Sequence, residues 1–189
     1  MLTVFVIEVH KRAEILERVA GLARRRGFEI QSLSLGPTDM PDLLRMTLVV
    51  ETEEAGASRF LRHLGRLQNV LKVYEISPKH SLLRDLAIIK IAATAEERSE
   101  IIQIASVFGA RIVDICRQSI AIECTGGSGK VDRLVELLAS YGIVEMARTG
   151  LIAMRRGLNG GRREAENEDA QDNDENLRQL ALATTAAES

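Results

Sequence analysis

The chain reads as an α+β protein made of two tandem β-α-β-β-α-β units followed by an acidic tail. Three observations predict this. Apolar residues alternate or run in short β-rich stretches separated by stripes at helical spacing; that order occurs twice within residues 1–158; and the composition changes abruptly at Asn159-Gly160-Gly161.

In the first unit Thr3 to Val9 is a β-rich run, and the polar stretch His10-Lys11-Arg12 follows it. Ile15, Leu16, Val19, Leu22 and Ala23 then fall on one helical face. Arg24, Arg25 and Arg26 sit in the last turn, where cations oppose the negative end of the helix dipole, and Gly27 supplies the stop. Ile30 to Leu35 alternates as a strand, Gly36-Pro37-Thr38-Asp39 is a turn, and Leu44 to Glu51 is a third strand. Phe60, Leu61, Leu64 and Leu67 mark a second helix, Val70 to Ile76 a fourth strand, and Ser77-Pro78-Lys79-His80 closes the unit.

The second unit repeats the order. Asp85 to Ala92 is a strand, and Ile101, Ile104, Ala105 and Phe108 lie on one face of a helix ending near Gly109. Arg111 to Ile115 and Ser119 to Cys124 form a hairpin. Val131, Leu134, Val135 and Leu138 mark a helix that stops at Tyr141-Gly142, and Ile143 to Thr149 is a last strand with room to continue past Gly150. Such units are ferredoxin-like: an antiparallel sheet with both helices on one face. The predicted organisation is residues 1–77 as the first domain, 78–84 as a linker, 85–157 as the second domain and 158–189 as a disordered tail. At this size a single sheet leaves an edge or a face poorly covered, and pairing with a second copy is the simplest remedy.

The tail prediction rests on charge. Residues 159–189 hold eight acids against three arginines, a balance of −5, so the rest of a chain of net charge −2 carries +3. Large apolar residues are sparse there until Leu177, Leu180 and Leu182, too few to offset the entropy of ordering, although the last dozen residues have the spacing of a weak helix.

Composition also excludes function classes. The near-neutral balance gives no footprint for nucleic acid, and aromatics at 3% with no Trp leave no stacking platform. The apolar runs are far too short to span a bilayer, and the N-terminus has no basic lead-in to a secretion signal, so the expectation is a soluble, cytoplasmic protein. Two cysteines make no disulfide framework; Cys116 and Cys124 lie in strand-like sequence and read as buried, inert thiols.

Catalysis needs a constellation. His10, His63 and His80 stand apart, each without companions at metal-ligand spacing, and Asp39 and Asp42 flank a turn. Gly126-Gly127-Ser128-Gly129-Lys130 suggests a phosphate loop but fails in register, since the first glycine of that motif would fall at Cys124 and Val131 stands where a hydroxyl should meet magnesium. A strand-to-helix turn with Ser128 near the N-cap accounts for it. No catalytic residue and no metal site is expected in this chain.

The residues do carry a resemblance. Arg18-Val19-Ala20-Gly21-Leu22, Arg26-Gly27-Phe28-Glu29-Ile30, Ser32-Leu33, Pro37-Thr38-Asp39, Arg45-Met46-Thr47, Gly126 to Asp132 and Ile143 to Gly150 stand in an order and spacing similar to the regulatory small subunit of acetolactate (acetohydroxyacid) synthase, across residues 1–157. The resemblance implies an N-terminal ACT domain and a ferredoxin-like C-terminal domain. It implies a homodimer formed through the ACT units and a non-catalytic regulatory role. The expected partner is the catalytic subunit of valine, leucine and isoleucine biosynthesis, which carries thiamine diphosphate, Mg2+ and FAD.

A branched-chain amino acid effector would bind at the ACT dimer interface, between the first-strand-to-first-helix loop of one chain and the start of the second strand of the other. Those positions are Lys11, Glu14, Ile15, Glu29 and Ile30 here. The family pattern in the loop is Asn-Glu-Ser-Gly, against Lys11-Arg12-Ala13-Glu14; at the second-strand contact it is Asn, against Glu29. These departures put valine binding in the family mode in doubt, and Lys11 of one chain pairing with Glu29 of the other would plug the pocket. The alternative is a stand-alone ACT-type sensor acting on another partner, for which Glu14 and Glu29 would suit a cationic ligand.

Overall fold

A computed structural model describes residues 1–157 and, as a backbone strand, residues 164–166. The predicted disorder of residues 158–189 otherwise lies outside the described residues. Two compact units divide the chain at Ser77/Pro78.

The first unit runs β1 (Leu2–His10), α1 (Ile15–Arg26), β2 (Glu29–Pro37), β3 (Leu43–Glu51), α2 (Glu54–Gly65) and β4 (Val70–Ile76). Its strands pair antiparallel in the order β4-β1-β3-β2, so β2 is an edge. Phe5, Ile7 and Val9 of β1 and Met46, Leu48 and Val50 of β3 alternate onto one face, where α1 delivers Ile15, Val19 and Leu22 and α2 delivers Phe60, Leu61 and Leu64. Phe60 lies edge-on to Phe5, with centroids 5.6 Å apart, and tilted against Phe28 at 4.3 Å. The predicted helix stop is observed: Gly27 takes φ 70°, and the N–H groups of Gly27 and Phe28 return to the carbonyls of Arg24 and Ala23.

The second unit contains β5 (Ser81–Ala92), α3 (Glu97–Val107), β6 (Arg111–Ile115), β7 (Ser119–Gly126), α4 (Ser128–Leu138), β8 (Ile143–Arg148) and β9 (Ile152–Arg155). The order β6-β7-β5-β8 is again antiparallel, over a core of Ile89, Ile91, Ile101, Ile122, Val131 and Leu134.

The strand beginning at Asp85 in the sequence reading starts at Ser81. Its first four residues pair with β9, from Ser81 opposite Arg155 to Arg84 opposite Ile152. The last strand is interrupted at Gly150, which adopts φ 73°, and then runs on: β9 continues in the direction of β8 along β5, the pairing slipping by one residue between Arg148 opposite Ala87 and Ile152 opposite Arg84. Glu164–Glu166, inside the predicted tail, forms a further strand, β10, against the free edge of β4.

Cys124 is buried, as the sequence suggests, but Cys116 is exposed. It sits at the tip of the β6–β7 hairpin, where its N–H closes onto the Ser119 carbonyl at 2.8 Å, so the side chain has no core to enter.

A reciprocal cap opens α3. The Thr94 N–H and hydroxyl donate to Glu97 Oε2 at 2.9 and 2.8 Å, and the Glu97 N–H returns to Thr94 Oγ1 at 3.3 Å. The backbone bond from Thr94 first, and its hydroxyl second, hold the Glu97 carboxyl below the usual range. A carboxyl with a lowered folded pKa adds stability above its unfolded pKa and loses it as pH falls through the folded one. Acidification is therefore expected to lower hydrogen-exchange protection factors, that is rates corrected for their intrinsic pH dependence, at the start of α3, and Glu97→Gln should flatten that dependence. Identical pH profiles for the two proteins would remove the cap from the account.

Candidate functional site

The loop between β1 and α1 is set by its backbone. The Lys11 N–H donates to the Asp42 carbonyl at 2.8 Å, tying the loop to the β2–β3 turn, and the Ile15 N–H reaches the Arg12 carbonyl at 3.3 Å. Asp39 and Asp42 are exposed residues of that turn, which is braced by the Thr38 hydroxyl: it donates to the Met40 carbonyl and accepts the Met40 N–H, both at 3.1 Å.

Glu14 is the N-cap residue of α1 but makes no side-chain cap. Its carboxylate instead meets Arg18 Nη2 at 3.3 Å, and Arg18 Nη1 donates to Gln68 Oε1 at 3.1 Å. Sequence reasoning missed both partners; the four-residue spacing of Glu14 and Arg18 was the available signal for the first.

Lys11, Glu14 and Glu29 are exposed, Ile30 is half-buried against the core, and Ile15 is a core side chain, 1% exposed. Both strands leading to these positions are irregular: β1 shifts register against β4 at Glu8/Val9, and β2 bulges against β3 between Ile30 and Ser32.

The five positions do not meet within one chain. His10, just before Lys11, lies opposite Leu43 of β3, whereas Glu29 lies opposite Glu51. Eight residue steps of β3 separate those partners, about 27 Å at roughly 3.4 Å per residue. Lys11 and Glu14 thus occupy one end of the sheet, and Glu29 and Ile30 the other.

Two clusters absorb other residues that the sequence singles out. Arg45 donates to Glu8 at 3.1 Å and to the Tyr74 hydroxyl at 2.8 Å, joining β3, β1 and β4. In the second unit Arg148 of β8 reaches Asp85 of β5, through Nε at 3.0 Å and through Nη2, and Asp132 of α4 through Nη1 at 2.8 Å. The hydrogen bonds and charges of the two aspartates outweigh desolvation and raise the Arg148 pKa further. Gly126 leaves room for the stem of Lys130, whose Nζ donates to the Thr125 carbonyl at 3.0 Å. Gly127 rather than Ser128 is the N-cap of α4.

Among the described residues no group of three or more His, Cys, Asp or Glu could hold a metal, and no helix is long and apolar enough to cross a membrane.

Comparison with known proteins agrees with this geometry in both units. Residues 84–157 match the family described as the small subunit of acetolactate synthase, and residues 11–73 match the ACT domain. A probable acetolactate synthase small subunit of Archaeoglobus fulgidus is 45% identical over 149 residues, covering 79% of this chain and 93% of that protein. The chain belongs to the acetolactate synthase small-subunit family. The acetolactate synthase small subunit of Mycobacterium bovis is 39% identical over 152 residues, covering 80% of this chain and 90% of that one. The crystal structure of the Thermotoga maritima acetolactate synthase small subunit superposes with a TM-score of 0.78 at 31% identity, over 83% of this chain and 98% of that one. The family positions Lys11 to Ile15 and Glu29 to Ile30 lie within the ACT match or beside its strands, and the acidic tail lies beyond both matched regions.

Proposed function

We propose that this chain is a non-catalytic regulatory subunit that binds and activates the acetolactate synthase catalytic subunit in branched-chain amino acid biosynthesis, and that its effector site has departed from valine recognition. The observation that carries the reading is the match of both units, in order, to acetolactate synthase small subunits. Thiamine diphosphate, Mg2+ and FAD belong to the catalytic partner. A partner lacking reactive groups raises a rate only by binding the active arrangement of the enzyme more tightly than the inactive one.

The separation of Lys11 from Glu29 supports a homodimer. β2 is an edge strand of nine residues with one row of backbone groups unpaired by its own sheet. If two copies pair antiparallel about the middle of β2, the Glu29 end of each lies against the Pro37 end of the other. Pro37 is opposite Leu44, beside the turn that holds the Lys11 N–H. Glu29 of one copy then faces the β1–α1 loop of the other, and a Lys11–Glu29 pair fills the place of an amino acid effector. Within the chain Glu14 is already matched by Arg18, so the lysine is left to the facing glutamate.

Mixing the full chain with the catalytic subunit of its own organism tests the reading. The two are expected to co-purify, with faster acetolactate formation than the catalytic subunit gives alone and little response to valine. A chain that neither co-purifies nor changes the rate overturns the proposal, and ligand binding without catalytic-subunit binding would favour a stand-alone sensor.

A further inference from the structure

The exposed side of α2 carries Arg59 and Arg62, and Arg66 follows as its C-cap residue; the spacing of three and four puts them on one stripe. His63 is half-buried beside them, and Arg26 at the end of α1 completes the neighbourhood. Desolvation first, and then Arg26, Arg66, Arg62 and Arg59, hold the imidazole below its ordinary pKa. Among the described residues none of the four arginines has a carboxylate partner; Arg59 donates only to the Ala55 carbonyl, at 3.3 Å. Clustered cations without counter-charges create a local field that attracts an anionic chain.

The chain supplies one. Residues 164–175 contain seven acids and no Lys or Arg. β10 runs antiparallel to β4, from Glu164 opposite Tyr74 to Glu166 opposite Lys72. The chain therefore leaves β10 toward the Val70 end of β4, the end that follows α2 and the Arg66–Asn69 connection. β10 also lies beside α2. Nine further residues reach up to about 30 Å when extended, and seven helical steps from Arg59 to Arg66 span about 10 Å.

We propose that the acidic segment 167–175 folds back on its own chain and docks along the arginine stripe of α2. One exposed ion pair contributes little, but several carboxylates tethered beside several guanidinium groups act together at a high effective concentration. A free anion or an acidic partner protein lacks that advantage.

The test uses the full chain and a full-length variant carrying Glu168→Gln, Asp169→Asn, Asp172→Asn, Asp174→Asn and Glu175→Gln. Carboxylates brought near His63 offset the arginines and ease its protonation. The imidazole, followed by NMR, is thus expected to titrate at higher pH in the unmodified chain than in the variant at low salt. The difference should fade at about 0.5 M salt, where charges only a few ångströms apart are screened. Superimposable titrations at low salt would overturn the proposal.

A second arm places a nitroxide at Ala170→Cys in a Cys116→Ser background and records the amide signals. Selective loss across Arg59–Arg66 is expected. Loss centred on another surface, or no selective loss, overturns the proposal. So does loss seen only when nitroxide and isotope label reside on different chains, because the segment would then dock on a second copy.

Discussion

Replacing Lys11, Glu14 and Glu29 together by Asn, Gly and Asn is expected to raise valine affinity ten- to a thousandfold. The upper figure follows from charge. Two carboxylates about 4 Å apart in an effective dielectric near 20 repel by roughly 4 kcal/mol, which is about a thousandfold in affinity. The lower figure allows for surroundings: the Glu14 side chain is 53% exposed and Arg18 stands 3.3 Å away, so solvent and the guanidinium both weaken the repulsion. Glycine at position 14 also lets a ligand approach the backbone at the start of α1, where the helix dipole and open N–H groups favour an anion. Asn at 11 and 29 orients the ligand's charged groups without adding charge. Titration calorimetry of the parent and triple variant at equal concentration reads the result, and equal affinities would dismiss the charge explanation.

Arg148→Met is expected to lower the stability of the second unit by about 3 kcal/mol. Asp85 is only 3% exposed, and its charge is matched chiefly by the Arg148 guanidinium, with Thr149 Oγ1 at 3.5 Å as a weak further donor. Removing one member of a fully buried pair costs about 3–5 kcal/mol because the other charge is stranded. The 30% exposure of the Arg148 side chain places the expected loss at the lower end. Adding Asp85→Asn to Arg148→Met should recover a large part of it, since the stranded charge is then gone. Urea unfolding with an unchanged slope provides the measurement. A single variant within about 0.5 kcal/mol of the parent, the usual range for a surface change, would show that the network adds little.

Much of the fold was legible because local signals agreed with it. The stripe Ile15, Val19, Leu22 is the buried face of α1, Gly27 ends that helix at positive φ, and the predicted bounds of β4 and β6 are those observed. Failures arose where distant residues decide. Ser81 to Arg84 follows a proline-containing turn and is strand only because the chain resumes its pairing with β5 beyond Gly150, as β9. Asp85 and Arg148 are 63 residues apart, and no local pattern announces that two strands will place them together. Cys116 has strand-like neighbours, yet it lies in the hairpin tip itself, which leaves it exposed.

The candidate site divides in the same way. Its positions were legible by resemblance, but the role of Ile15 in the core and the hold of Arg18 on Glu14 needed the packed structure. Arg45, Arg148 and Asp132 helped to carry the resemblance, and each ties elements of the fold together rather than facing a ligand site.

The distance along β3 between the partners of His10 and Glu29 has a thermodynamic consequence. A small molecule touching both ends must bridge two polypeptides, so its occupancy is linked by mass action to self-association. Dilution would then behave as an antagonist, and any apparent dissociation constant at this site would drift with protein concentration.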